Sequence, residues 1–499
     1  MSSLFYGLQI ARSALTASQK GINLTGHNIS NANTTGYTRQ RLVVESVQPS
    51  TTAVRISPVE KGAVGAGVDV KAIEQVRSDY LDRQYRNQSA KLGYWQTRAD
   101  EMEYVESVVN ELSEDSSLSS AIDDFFNSLN DLVDDPVSEE IRTTVRQNAL
   151  KMTDTFQLRY DQLVELQSLY NDTMKLTVDE INTKLQNIAA FNEQIRAYEL
   201  TGEKANELRD SRNLLIDDLS QLINIKATET SEGSVTISCE GTELLNYTTV
   251  TKLDARPELT GVVSGEPGHY QIYVGSSSTV LSYSSGKLKA LKDMRDGDSL
   301  NNVGLPYVLE SLNTLAQSIA KEFNAVHSAG FTMATATMTS KTGINLFEVP
   351  AGGYGDITAR NFSLSSEVMD SVFNIAASSK QIDLSASNTQ EGNNETALAM
   401  VALSTSTGIP VVGNFANYLH SKVVEVGSVS STAASTFDSQ TVIMDNLSDR
   451  RLSISGVSLD EEMVNLVSYQ HSYSAAARIF TAIDEALDVL INRTGRVGT

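Results

Sequence analysis

The side chains best suited to chemistry in this chain are five histidines, one cysteine and a series of adjacent carboxylates, and none falls into a catalytic pattern. His27, His269, His327, His420 and His471 are too widely scattered to form a local ligand set, and no His-Glu-x-x-His pair is present, so a metal site is not expected. No Gly-x-Ser-x-Gly elbow and no Gly-Lys-Ser/Thr phosphate loop occurs. Cys239 is the sole cysteine, which rules out intrachain disulfides and multi-cysteine sites. Between Ile237 and Glu240, in a strand-like alternation, it reads as a small buried hydrophobe rather than a nucleophile. Asp123-Asp124 and Asp217-Asp218 are the residue type that acid–base catalysis needs, but in helices this acidic they read as solvated faces. Gly62, Gly65 and Gly67 match neither the dinucleotide nor the P-loop spacing and read as a turn entering a strand at Val68. Neither an enzyme nor a cofactor is expected.

Composition narrows the partners. A net charge of -23 argues against nucleic acid, whose phosphates demand a basic face. No stretch approaches eighteen consecutive apolar residues, so no membrane insertion is expected, and the first residues lack the basic and apolar regions of a signal peptide. The charge is uneven: Arg12, Lys20, Arg39 and Arg41 face only Glu45 in the first fifty residues, so the acidity lies in the middle of the chain.

The strongest patterns lie at the two ends. Leu4, Leu8, Ala11, Leu15, Ser18, Ile22, Thr25 and Ile29 alternate in steps of four and three, the seam of a coiled coil. Leu459, Met463, Leu466, Gln470, Tyr473, Ala477, Phe480, Asp484, Leu487 and Ile491 obey the same rule. Ser458 and Glu461 form a capping box, with Asp460, Glu461 and Glu462 in the first turn where the helix dipole favours negative charge. Burying so many apolar side chains needs a substantial partner surface. The obvious partners are each other and further copies.

Between the ends, Val43, Val47, Val54, Ile56 and Val59 interleave with polar residues and prolines, as in loop and short strand. From about Asp79 to Leu222 the chain reads as long helices broken near Asp115 and near Asp134-Asp135-Pro136, an elongated antiparallel bundle. Alternation of Val235, Ile237 and Cys239, then Tyr270, Ile272 and Val274, marks an inserted β module. Helix returns over Tyr307 to Val326, Thr396 to Ser404 and Val412 to Leu452, and Ser328 to Thr342 reads as an irregular, mobile connection. The expected fold is mainly α with an inserted β module. Residues 1–35 with 457–499 form a paired terminal coiled coil, 36–222 with 291–456 an elongated helical bundle, and 223–290 a small outer β domain. Chain ends at one pole and the inserted module at the other suit a rod-like subunit.

Directly after the first seam runs Asn28-Ile29-Ser30-Asn31-Ala32-Asn33-Thr34-Thr35-Gly36-Tyr37. Asn31, Asn33 and Thr34 can bond nearby backbone and tolerate left-handed geometry, and Gly36 permits a positive φ. This block resembles the signature of bacterial flagellar rod, hook and junction proteins. Its continuation through Arg39, Gln40 and Arg41 is similar to the FlgK family of hook-associated junction proteins. So are Asp135-Pro136, Asn206-Glu207-Leu208-Arg209-Asp210, Asn324 to Gly330, Asn345-Leu346-Phe347, and Ser455 to Glu462 with Tyr469-Gln470 and Ala475-Ala476-Ala477.

The resemblance implies a structural subunit of the layer between hook and filament, exported unfolded through the flagellar type III apparatus and located outside the cell. The implied partners are further copies of itself, the hook protein, a second hook–filament junction protein, and a FlgN-type export chaperone. The chaperone would shield Met463, Leu466, Tyr473, Phe480 and Leu487. The same five, with Leu4, Leu8, Leu15, Ile22 and Ile29, are the expected assembly interface, and the termini are expected to be poorly ordered until neighbours cover them. A hook or distal-rod subunit, or a secreted adhesin or enzyme on an axial scaffold, are the alternatives.

Overall fold

The structure, a computed structural model, describes residues 2–47, 65–109, 117–258, 269–385 and 389–490, with backbone only for 2–4. From the N-terminus the elements are α1 (Ser2–Ser30), a hairpin of β1 (Gln40–Ser46) and β2 (Val68–Gln75), then α2 (Asp79–Val109), α3 (Leu118–Asp134), α4 (Glu139–Glu199) and α5 (Asn206–Leu222). Six short strands follow: β3 (Lys226–Glu229), β4 (Val235–Cys239), β5 (Thr242–Asn246), β6 (Thr249–Val250), β7 (Leu253–Glu258) and β8 (His269–Val274). The chain returns through α6 (Lys287–Asp296), a minimal pair β9 (Asp298–Ser299) and β10 (Asn302–Val303), α7 (Leu305–Ala329), α8 (Ser366–Asp370), α9 (Glu395–Ala402), α10 (Phe415–Ser455) and α11 (Leu459–Asp488). It is an elongated, mainly helical molecule with a small β module.

Helix α4 is the spine. Its 61 residues span about 90 Å, started by Ser138, whose side chain accepts from the Ile141 amide. The buried stripe Phe156, Leu163, Leu166, Tyr170, Leu185 and Ile188 packs against α3, α5 and α6, as its helical spacing predicts. At the end near Glu139, Phe125, Phe323, Phe347 and Phe362 form an aromatic core with ring centroids 4.7–6.3 Å apart.

The β module comprises an antiparallel meander β3-β4-β5-β6 and a separate antiparallel hairpin β7-β8. It docks through three asparagines on α4 that act as surrogate strand backbone. Asn192 accepts from Val235 N (3.0 Å) and donates to the carbonyls of Val235 (2.9 Å) and Tyr247 (2.7 Å). Asn182 donates to and accepts from Leu253, both at 2.8 Å, and Asn171 accepts from Tyr270 N at 2.7 Å. A side-chain amide offers one donor face and one acceptor face, so it can satisfy an edge strand without water. These anchors set the module on the flank of the bundle. The pole remote from the termini is formed instead by the 330–414 segment, where Arg142 reaches Ile375 O and Arg146 reaches Met369 O. The inserted module therefore does not occupy the far pole.

Local expectations differ from the structure at three further points. The Ser328–Thr342 stretch is irregular but held fast: Thr332 N donates to Lys341 O at 2.8 Å, Ser340 Oγ to Thr332 O at 2.7 Å, and Met333 and Ala334 are buried against Ile382. Helix α6 begins within the last four residues assigned to the β module and continues to Asp296, ahead of the helix expected from Tyr307, because Leu288, Leu291 and Met294 supply a helical stripe that the preceding alternation obscures. Asp217 is buried rather than solvated, paired with Arg86 at 2.8 Å and Arg451 at 2.6 Å. Val54, Ile56, Val59 and Gly62 lie outside the described residues.

Candidate assembly site at the terminal helices

α1 and α11 pack antiparallel, and residue types dictate which faces meet. A side chain at Gly21 would overlap the Tyr469 ring at 2.6 Å, and one at Gly7 would meet Ile483 at 3.0 Å. Asn28 contacts Glu462. Ala11, Ser18, Gly21, Thr25 and Asn28 are accordingly buried, a seam of small residues at heptad spacing that lets the two backbones approach closely. On α11 the facing line is Glu462, Tyr469, Ala476 and Ile483.

The sequence-derived seam shares Ala11, Ser18 and Thr25 with this one but is rotated about one residue around α1. Leu8, Leu15, Ile22 and Ile29 lie along its edge, half-buried. They fall on the opposite side from Ile10, Ala17 and Leu24, the side of α1 that packs on the β1-β2 hairpin at Ile10 and Ser13, where Gly67 approaches Ile10 and Val68 N donates to Ser13 Oγ at 3.2 Å. On α11, Leu466, Phe480 and Leu487 are half-buried, Tyr473 is more open, and Met463 is 52% exposed. The Leu4 side chain and Ile491 lie outside the described residues. α1 thus turns small residues toward α11, which fills the space with Tyr469 and Ile483, and both helices leave larger apolar residues partly open.

The signature block makes the joint between this helix pair and the body. Asn28 is buried and saturated: its amide donates to Gln40 O (2.9 Å) and Glu462 Oε2 (3.1 Å), and its carbonyl accepts from Tyr37 Oη (2.7 Å) and Gln40 N (3.1 Å). Since Tyr37 spends its proton on Asn28, the His27 Nδ1 that lies 3.1 Å away must carry the hydrogen in that pair. Asn31 donates to His27 O and accepts from Thr34 Oγ1, closing the helix end, while Asn33 is exposed. Only Gly36 of this block is left-handed, at φ +81°; Asn31 and Asn33 are not.

Arg39 reaches across 423 residues of sequence. Its Nε donates to Glu462 Oε1 and its Nη1 to Glu461 Oε2, both at 2.8 Å, and its amide donates to Ser455 O at 2.8 Å. Glu461 therefore turns to Arg39 rather than back to the Ser458 amide, so half of the capping box forms, with Ser458 Oγ accepting from Glu461 N at 3.5 Å. Gly456 ends α10 where any side chain would strike Leu452 O at 2.5 Å, which makes the Ser455–Ser458 link a tight corner.

A second set of contacts ties the block to α5. Thr38 donates through its amide (3.0 Å) and hydroxyl (2.6 Å) to Asp210, which also accepts from Gln75 (2.7 Å). Gln40 exchanges hydrogen bonds with Asn206 and Glu207. Burial pushes the Asp210 carboxyl up to about 6 against the pull of Thr38 and Arg77. Below it, Asp82 and Asp217 hold Arg77, Arg86 and Arg451, and Arg451 lies 4.5 Å over the Tyr85 ring. Glu462 and Asp210 both fall in the blocks that resemble the family, and the first also suits the helix dipole, but the sequence names no partner for either. The buried donors and acceptors of Asn28, Thr38 and Asp210 are spent on structure. Among the described residues no group of three or more His, Cys, Asp or Glu could hold a metal.

Known proteins match the chain over the same landmarks. Residues 102–347 match the model of the flagellar hook-associated protein FlgK helical domain, 8–38 that of the flagella basal body rod protein, and 449–493 that of the flagellar basal body rod FlgEFG protein C-terminal region. Flagellar hook-associated protein 1 of Bacillus subtilis is 32% identical over 99% of both chains, and that of Escherichia coli is 24% identical over 99% of this chain and 100% of its own. The flagellar hook junction protein FlgK from Burkholderia pseudomallei superposes with a TM-score of 0.59 at 14% identity, covering 75% of this chain and all of that one, which speaks for the fold.

Proposed function

The chain belongs to the flagellar hook-associated protein FlgK family, and from that premise we propose that its terminal helices build the junction layer connecting hook to filament. The chain is a structural subunit of the bacterial flagellum. The observation that carries the assembly reading is the joint itself: Asn28 and Arg39 fix α1 and α11 as one unit on the body, while Leu8, Leu15, Ile22, Ile29 and Met463 keep apolar surface open beside the seam. Apolar surface left open at both ends of one chain is what further copies would cover.

Residues 1–35 with 457–499 act as the assembly unit, 36–222 with 291–456 as the surrounding bundle and 223–290 as the outer module. The subunit is exported unfolded through the flagellar type III apparatus and works outside the cell. Hook protein and a second junction protein are its axial neighbours. A FlgN-type chaperone takes the open face of α11, for which exposed Met463 and half-exposed Leu466, Tyr473, Phe480 and Leu487 provide apolar contacts. It has no enzymatic role.

Deleting the gene in its source bacterium tests the reading. Hooks without filaments, with unpolymerised flagellin in the medium, are expected; missing hooks would move the subunit to rod or hook, and normal flagella would overturn it. Protease trimming of the isolated chain addresses the termini, which should be cut first. Resistant ends would mean that α1 and α11 are complete without neighbours.

A further inference from the structure

The outward face of α4 is neither ordinary solvated helix nor core. Leu158, Leu169 and Leu176 are 53%, 58% and 68% exposed, on one line at spacings of eleven and seven. Asp154, Glu165, Asp172 and Asp179 share that face, are exposed, and have no ion-pair partner among the described residues. The result is an acidic ridge with leucine knobs about 37 Å long. In a protein carrying a net charge of -23, two such ridges repel, so the face cannot pair with itself.

The complement lies on α2. Tyr80, Arg83, Asn87 and Lys91 follow one another at helical spacing on its exposed side, with Tyr80 61% exposed. Neither Arg83 nor Lys91 has an ion-pair partner among the described residues, whereas Arg77 and Arg86 on the same stretch of chain are committed to Asp82 and Asp217.

We propose that the leucine-acid ridge of α4 is one half of a contact between neighbouring copies of this chain, and that the Tyr80–Lys91 line of α2 on the next copy is the other half. The proposal rests on the junction-layer reading, because it needs copies side by side. Two different surfaces meet, so the contact is heterologous and propagates from copy to copy rather than stopping at a dimer. Its geometry also sets an offset. Arg86 pairs with Asp217 while the adjacent Asp218 meets Lys184, so the α2 line is level with the region of Lys184 on α4. The ridge is centred about eighteen residues earlier, so neighbours are displaced along the bundle axis by about 27 Å. The layer built this way is helical, not flat.

Cysteine cross-linking in assembled flagella tests this. A chain carrying both Lys91→Cys and Leu169→Cys, treated with a short bismaleimide, should give a ladder of covalent multimers. A mixture of the two single variants should stop at dimers, and buried Cys239 should add nothing. Normal flagella without cross-links, or cross-links to a different axial protein, would overturn the proposal. Charge reversal gives a second measure on surface positions that do not disturb folding. Arg83→Glu with Lys91→Glu, or Glu165→Lys with Asp172→Lys, should each reduce incorporation severalfold, and combining the two sets should restore it. Unchanged incorporation in every combination would overturn it. Failure of these tests in cells whose deletion strain shows bare hooks would refute the contact and leave the junction role standing.

Discussion

Replacing Arg39 by alanine removes the side chain that holds the two chain ends to each other and to the body. The cost follows from an asymmetry in burial: the Glu462 side chain is 3% exposed and that of Arg39 is 23%. Without Arg39, the Glu462 carboxylate stays buried with one neutral donor, Asn28 Nδ2 at 3.1 Å. In Glu462→Gln, by contrast, Arg39 still reaches Glu461 at 2.8 Å and water. A hydrogen bond to a charged group contributes about 1.5–3 kcal/mol, and a stranded buried charge costs the upper end of that range or more. Arg39→Ala should therefore loosen the start of α11 by about 3 kcal/mol and Glu462→Gln by about 1 kcal/mol. At about 1.4 kcal/mol per factor of ten, amides of residues 457–466 should exchange with deuterium roughly a hundredfold faster in the first variant and under tenfold faster in the second. The double variant should fall well short of the sum of the two, since the stranded charge is gone. Circular dichroism serves as a control that the bundle persists. Equal effects of the two single variants, or unchanged exchange in Arg39→Ala, would refute the view that this buried pair holds the joint.

Four other outcomes are expected. Gly21→Ala should force α1 and α11 apart and impair assembly, because its methyl meets the Tyr469 ring at 2.6 Å; adding Tyr469→Ala should restore assembly, as scored by motility. Leu15→Asp and Leu466→Asp, at half-buried positions beside the seam, should block incorporation while the purified chain keeps its helical signal. His327 is wholly buried, with Nδ1 on Ile344 O and Nε2 accepting from Ala376 N, and burial lowers its pKa from 6.5 to about 4. The unfolded chain therefore binds a proton that the folded chain refuses. The His327 contribution is fully present above pH 6.5 and falls by about 3 kcal/mol as the pH drops toward 4, while Asp210, raised to about 6, gains stability over the same window; the urea-midpoint difference between His327→Gln and the parent chain, compared at each pH, should therefore shift in favour of the variant by about that amount toward pH 4. Cys239 is buried, with its thiol pushed up to about 12, so iodoacetamide should label it only in denaturant and make it a reporter of unfolding.

Local order was legible before any fold was known. The Ser458 cap, the breaks after Asp134 and near Leu222, the alternation around Ile237 and the stop after Ser30 follow from periodicity and from residues that bond their own backbone, interactions within a few positions. The signature block announced its family but not its work. Its purpose lies in partners 172 residues away for Thr38 and 423 residues away for Arg39, and nothing near either residue names them.

The chain by itself determined that both ends are heptad helices and that Asn28 through Tyr37 ends the first of them, because helix period and cap chemistry are short-range. It left open which side of α1 faces its partner, since large apolar and small residues both recur every seven positions. Only the tertiary structure decided that Gly21 and Asn28 turn inward and the leucines lie at the edge. It decided likewise that Asn171, Asn182 and Asn192 receive the strands on the flank of α4. The physical reason is common to both. A close backbone approach or an amide standing in for a strand depends on what the returning chain brings opposite, and periodicity along one helix holds no record of it.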